Sequence, residues 1–198
     1  VDLTGRRVGV IGTGASAVQA IPRIAREAAH LTVFQRTANW VLPRLDRPYN
    51  RLDHLLAHFP TYARTVRWCW TQVLEWGRRA FDEGTLARKG MLRTAAAHRQ
   101  RQLADPVLRE KLTPPYPLGC KRLIYSSDFY PAMSQPNVEL VTDAIERITE
   151  GSIQTADGQE RAIDVLVCAT GFETVHLLSS ITVTGRGGRT LREAWAHG

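Results

Sequence analysis

Cysteine is scarce in this chain of 198 residues, and its three copies stand apart: Cys69, Cys120 and Cys168 form no C-x-x-C pair. Isolated thiols exclude a disulfide framework and a cysteine zinc site as the basis of the fold. No run of 18 apolar residues occurs, so no segment reads as a membrane span. The first residues also lack the basic-then-apolar pattern of a signal peptide, and the expected location is the cytoplasm. His54 and His58 have helical spacing, but Leu55 stands where the H-E-x-x-H zinc motif carries its glutamate, and no metal is expected. There is no G-x-S-x-G elbow, internal repeat or low-complexity tract. Acidic residues are outnumbered, 19 against 26 basic ones, for a net charge of +7. Residues 1–50 carry +4, residues 51–112 carry +6 and residues 113–198 carry −3. The central basic residues alternate with apolar ones at helical spacing, which reads as a solvated helix face and not as a nucleic-acid-binding tail.

What the chain does have is an apolar strand running straight into G-x-G-x-x-A: Arg7-Val8-Gly9-Val10-Ile11-Gly12-Thr13-Gly14-Ala15-Ser16-Ala17. In this pattern the first glycine permits a tight turn, the second lets backbone approach a pyrophosphate, and Ala17 keeps the following helix close to the strand. The free N–H groups at the helix start face the anion. A helix over about 16–29 and a second strand, Leu31-Thr32-Val33-Phe34, complete the β-α-β context. About 20 positions after the glycines, where NAD-binding chains carry an acidic residue, this one offers Gln35, Arg36 and Thr37. A guanidinium fork and a hydroxyl suit the 2′-phosphate of NADP, so the expected coenzyme is NADP(H). The Tyr-x-x-x-Lys proton-transfer pair of short-chain dehydrogenases is missing, because Cys120 lies four residues after Tyr116.

Pro22 falls inside the first helical pattern and predicts a kink. Residues 38–50, with Pro43 and Pro48, read as a linker, and 51–111 as helical. Within that stretch Val66, Cys69, Trp70, Val73 and Gly77 share a stripe that Trp68 and Trp76 leave, so the helix is expected to be buried or docked. After Pro114, Pro115 and Pro117 the texture turns to strands: Val138–Val141, Ile145–Thr149, Ile153–Ala156, and the continuous apolar run Asp164–Ala169, typical of a strand covered on both faces. Cys168 is expected in the core. The fold class is therefore α/β: a doubly wound, Rossmann-like NADP-binding domain with a helical insertion and a late β-hairpin. The domain is expected over 1–172 with its insertion at about 51–112. Val1 lies almost on the first strand and Trp195-Ala196-His197-Gly198 carries no closing signal, so the chain reads as a piece of a longer protein.

Several segments, in order, resemble the flavin-containing monooxygenases of the Baeyer-Villiger type. They are Val8 to Gln19, Val33 to Trp40, Cys120-Lys121-Arg122, Asp128 to Pro131, Pro136 to Val141, Ala169-Thr170-Gly171-Phe172 and the tail Gly185 to Trp195. The resemblance implies an enzyme in which NADPH reduces FAD and one atom of O2 enters a ketone, giving an ester or lactone. It implies that Gly12, Gly14 and Ser16 line the NADP pyrophosphate and that Arg36, Thr37 and Lys121 hold the 2′-phosphate. Thr13, Ala15, Gln19, Ala169, Thr170 and Gly171 join them as coenzyme-binding positions. Arg122 matches the active-site arginine, a permanent cation that stabilises negative charge developing beside the flavin. The upstream FAD glycine motif and the F-x-G-x-x-x-H signature are absent. The chain is thus expected to bind NADP(H) alone without oxygenating, with residues 173–198 starting the return to an FAD domain of the same full-length protein. Oxygenation of nitrogen or sulfur, and a non-catalytic NADP-binding module, stay open as alternatives.

Overall fold

The computed structural model describes residues 1–171 and 181–195. Phe172 and the terminal residues 196–198 of the segments above lie outside them. A four-stranded parallel sheet organises the molecule: β1 (Arg7–Ile11), β2 (His30–Phe34), β5 (Val138–Val141) and β9 (Val165–Cys168), in the order β5-β2-β1-β9. Helix α1 (Ala15–Glu27) makes the crossover from β1 to β2. Alternation along the strands sends side chains to two faces. Val8, Val10, Leu31, Val33 and Leu140 meet Val18, Ile21 and Ile24 of α1 in the main core. Phe34, Val141 and Leu166 point the other way, onto Ile153 and Ile163.

That second face is covered by an antiparallel sheet, β6 (Ile145–Ile148), β7 (Ser152–Thr155) and β8 (Glu160–Ala162). The anticipated hairpin is present and carries a third strand, too short and polar to announce itself. Gly9 shows how close the two layers are: a Cβ there would fall 2.2 Å from the Ile163 side chain. Arg7 ties β1 to the start of β9. Its guanidinium lies 2.5 Å from Asp164 Oδ1, its backbone N–H donates to Oδ2 at 2.8 Å, and together they hold the Asp164 carboxyl down at about 2. Asn137 donates to the carbonyls of Ala25 and Ala28, satisfying orphan acceptors at the end of α1. Pro22 sits buried inside that helix.

Residues expected to be a linker include a strand. β3 (Val41–Leu42) pairs in parallel with β4 (Ile124–Tyr125), and two-residue strands are too short to show alternation. Between them run α2 (Arg51–Ala57), α3 (Pro60–Arg78), a 3-10 turn (Arg79–Phe81), α4 (Leu86–Gln102) and α5 (Pro106–Lys111). Asn50 and Asp53 form a capping box on α2, and Arg47 reaches Asp53 at 2.6 and 2.7 Å. The expectation of a buried α3 fails within this chain. No residue of α3 is buried, and Trp68, Trp70 and Trp76 are 64, 51 and 58% exposed. α3 packs against α2 and the 3-10 turn, and its apolar residues Trp68, Trp70, Val73, Leu74 and Trp76 are largely exposed. Short helices α6 (Phe129–Met133) and α7 (Leu191–Ala194) complete the elements, α6 packing on α1. Among the described residues no helix is long and apolar enough to cross a membrane.

Candidate functional site

A parallel sheet of this kind opens a crevice where connections from one strand depart in opposite directions, beyond the carboxyl ends of the strands. Here that point lies at β1, whose chain leaves toward β2 while β9 returns on its other side. A cleft of about 750 Å³ occupies the position, walled by Ile11 to Ser16, Phe34 and Val167 to Gly171. That volume is in the range of small-molecule sites.

Its floor is the glycine loop. Gly12 donates its N–H to the Phe34 carbonyl at 2.9 Å and has φ +104°, a left-handed conformation. A Cβ on Gly12 would lie 2.6 Å from the Ala169 carbonyl oxygen, so β9 closes against the loop as tightly as glycine permits. Gly14 is different. It has φ −72°, ψ −173°, and a Cβ there would meet nothing within 4 Å. As N-cap of α1 it offers no side chain to the first-turn amides, which leaves them for an anion. Ala17 is fully buried behind the loop, as its place in the fingerprint requires.

One wall is basic. Arg36, Thr37, Asn39 and Lys121 line the cleft, and no Asp or Glu does among the described residues. Gly12, Thr13, Gly14, Ala15, Ser16, Arg36, Thr37, Lys121, Ala169, Thr170 and Gly171 are therefore brought together. Gln19 lies one turn into α1, donating to the Ala15 carbonyl, and is outside the lining. Arg122 is exposed beside Lys121 and likewise does not line the cleft.

Cys168 corrects an expectation. It is exposed and lines the cleft because β9 is an edge strand of the described sheet and ends at the crevice. Two residues escaped the sequence reading, Asn39 and Tyr116. Asn39 Nδ2 donates to the Thr13 carbonyl at 2.7 Å, and Tyr116 Oη donates to Asn39 Oδ1 at 3.0 Å. The Trp40 indole N–H donates to the Tyr116 carbonyl at 3.0 Å, and Lys121 Nζ sits 4.8 Å from the Tyr116 ring centroid. Burial raises the Tyr116 phenol above its usual range and keeps it a donor. The signal that could have found them is positional, since Asn39 follows Thr37 by two residues and Tyr116 precedes Lys121 by five. Among the described residues no cluster of three or more His, Cys, Asp and Glu could hold a metal.

No family model matches the chain. An FAD-binding monooxygenase, ktnD, from Aspergillus niger is 40% identical over 204 residues, covering 100% of this chain and 33% of that protein. Proteins named Baeyer-Villiger monooxygenase from Streptomyces coelicolor and Pseudomonas aeruginosa are each 37% identical over 198 residues, covering 100% of this chain and 38% of theirs. Among solved structures, a steroid monooxygenase bound to NADP superposes with TM-score 0.83 at 30% identity, over 100% of this chain and 45% of that one. An open form of cyclohexanone monooxygenase gives 0.78 at 28% identity, over 99 and 46%. The chain thus spans a third to two fifths of the length of these curated relatives.

Proposed function

From the premise that this chain is a relative, end to end, of one part of the Baeyer-Villiger-type and FAD-binding monooxygenases, we propose that it is the NADPH-binding portion of such an enzyme. The observation that carries the reading is a cleft lined by no carboxylate among the described residues, in which Arg36 and Lys121 share the lining with an uncapped helix start. Gly12, Gly14 and Ser16 would hold the pyrophosphate, and Arg36, Thr37 and Lys121 the 2′-phosphate. The fit is supported by the open space above Gly14 and by donors that match phosphate oxygens. NADPH supplies a hydride when bound, and the chain's own residues would fix its orientation and its phosphates.

Residues 1–172 would form the coenzyme domain, with the helices of 51–112 inserted, and 173–198 would begin the return to an FAD domain of the longer protein. Arg122 would there face the flavin as a permanent cation, and the longer protein would take a ketone and O2. A chain lacking the FAD glycine motif would bind NADPH without oxygenating. Calorimetric titration tests the coenzyme reading. NADPH should bind more tightly than NADH, and Arg36→Ala should weaken NADPH by about 1.5–3 kcal/mol, the worth of a hydrogen bond to a charged group, with little effect on NADH. Equal affinity of the protein for both coenzymes refutes the reading.

A further inference from the structure

Lysine recognises phosphate as a point charge on a flexible stem, so its contribution depends on what holds the stem before the ligand arrives. In this cleft something does. The Lys121 ammonium lies over the Tyr116 ring, 4.8 Å from its centroid, within the range of a cation–π contact. Tyr116 is itself held at two points. Its carbonyl accepts the Trp40 indole N–H at 3.0 Å, and its hydroxyl donates to Asn39 at 3.0 Å. Asn39 passes the restraint on to the glycine loop through the Thr13 carbonyl at 2.7 Å. One half-buried aromatic side chain thus joins three segments distant in sequence: the loop before Lys121, the turn carrying Arg36 and Thr37, and the loop of Gly12 and Gly14.

We propose that Tyr116 is a positioning residue for coenzyme selection: its ring parks Lys121 on the cleft wall, and its hydroxyl fixes that wall to the glycine loop through Asn39. The inference rests on the NADPH reading above and adds a division of labour to it. The ring acts on the 2′-phosphate alone, because only NADPH presents a group for Lys121 to meet. The hydroxyl acts on both coenzymes, because both place a pyrophosphate on the glycine loop. The structure favours this over mere packing because Tyr116 spends its polar atoms on the cleft's own framework.

The test measures NADPH and NADH dissociation constants for the protein, Tyr116→Leu, Tyr116→Phe, Lys121→Met and the Leu/Met double variant, with unfolding midpoints alongside. Tyr116→Leu should weaken NADPH relative to NADH by about two- to fivefold, the range of an exposed cation–π contact. Tyr116→Phe should keep the unaltered preference while weakening both coenzymes alike. In the Lys121→Met background, Tyr116→Leu should cause no further loss of preference. An unchanged preference in Tyr116→Leu, or full additivity with Lys121→Met, overturns the proposal while leaving the NADPH reading intact. Absence of any preference in the unaltered protein overturns the NADPH reading itself. Should Tyr116→Leu fail to fold, the Lys121 ε-methylene protons of the unaltered protein decide: upfield ring-current shifts support the stacking, and random-coil values overturn it.

Discussion

Gly12 and Gly14 stand two residues apart in one motif, yet their geometry predicts opposite consequences for the same substitution. At Gly12, φ +104° disfavours any side chain, and an added Cβ would sit 2.6 Å from the Ala169 backbone oxygen, which cannot rotate away. The conformational cost alone is about 1–3 kcal/mol. For a chain of this size each kcal/mol lowers the melting temperature by about 2–4 °C, so Gly12→Ala should melt roughly 2–12 °C below the unaltered protein. At Gly14 the backbone is extended, which alanine adopts freely, and nothing lies within 4 Å of the new Cβ. Gly14→Ala should therefore lose no more than about 1 kcal/mol, mainly through alanine's poor standing as an N-cap. The empty space it fills is where a pyrophosphate would rest against backbone. Affinity for NADPH and NADH should both fall, by about tenfold or more, equivalent to about 1.4 kcal/mol. Differential scanning fluorimetry gives the stabilities, and calorimetric titration gives the affinities. A Gly12→Ala protein that melts normally, or a Gly14→Ala protein that binds both coenzymes normally, would refute the assignment of one glycine to folding and the other to ligand.

Acid sensitivity provides another check. The Asp164 carboxyl, held at about 2 by Arg7 against an ordinary value of 3.8, adds stability above the ordinary value that is lost as pH falls through about 2. Asp164→Asn should be less stable at neutral pH, and its chemical-denaturation midpoint should fall less between pH 4 and 2; a parallel decline in both proteins counts against the pair. Asp53, also held at about 2, preserves part of the acid loss in the variant. On α3, replacing the exposed Trp70 and Leu74 together by glutamate should reduce binding of a hydrophobic dye and shift the unfolding midpoint little, as surface changes do. A large loss of stability would show that this face is covered after all.

The glycine loop and the strands around it were legible because each carries a local signature: a turn requirement at Gly12, a short β-prone segment directly after the helical pattern at β2, apolar continuity in β9. The basic wall was legible at Arg36 and Thr37 for the same reason, their fixed distance from the loop. What escaped depended on partners far away in sequence. β3 and β4 are two residues each and acquire meaning only when Val41 meets Ile124. Cys168 belongs to an apolar strand, but its exposure follows from the place of β9 at the edge of the described sheet, which no periodicity reports. The tryptophans of α3 lie on more than one side of a helical pattern, which does not say what they face. Asn39 and Tyr116 become neighbours only after the sheet and its helical insertion are built.

The order of strands bears on how this molecule comes to exist during synthesis. β1 meets β2 through Val8 and Leu31, a short span that can close early, but it meets β9 through Val8 and Val165. Bringing so distant a segment home is entropically dear and slow, and until it arrives one flank of β1 presents unpaired N–H and C=O groups to whatever is nearby. The chain must emerge almost to Cys168 before both flanks of β1 are paired, so closure of the cleft and safety from edge-to-edge aggregation are gained in the same late docking event.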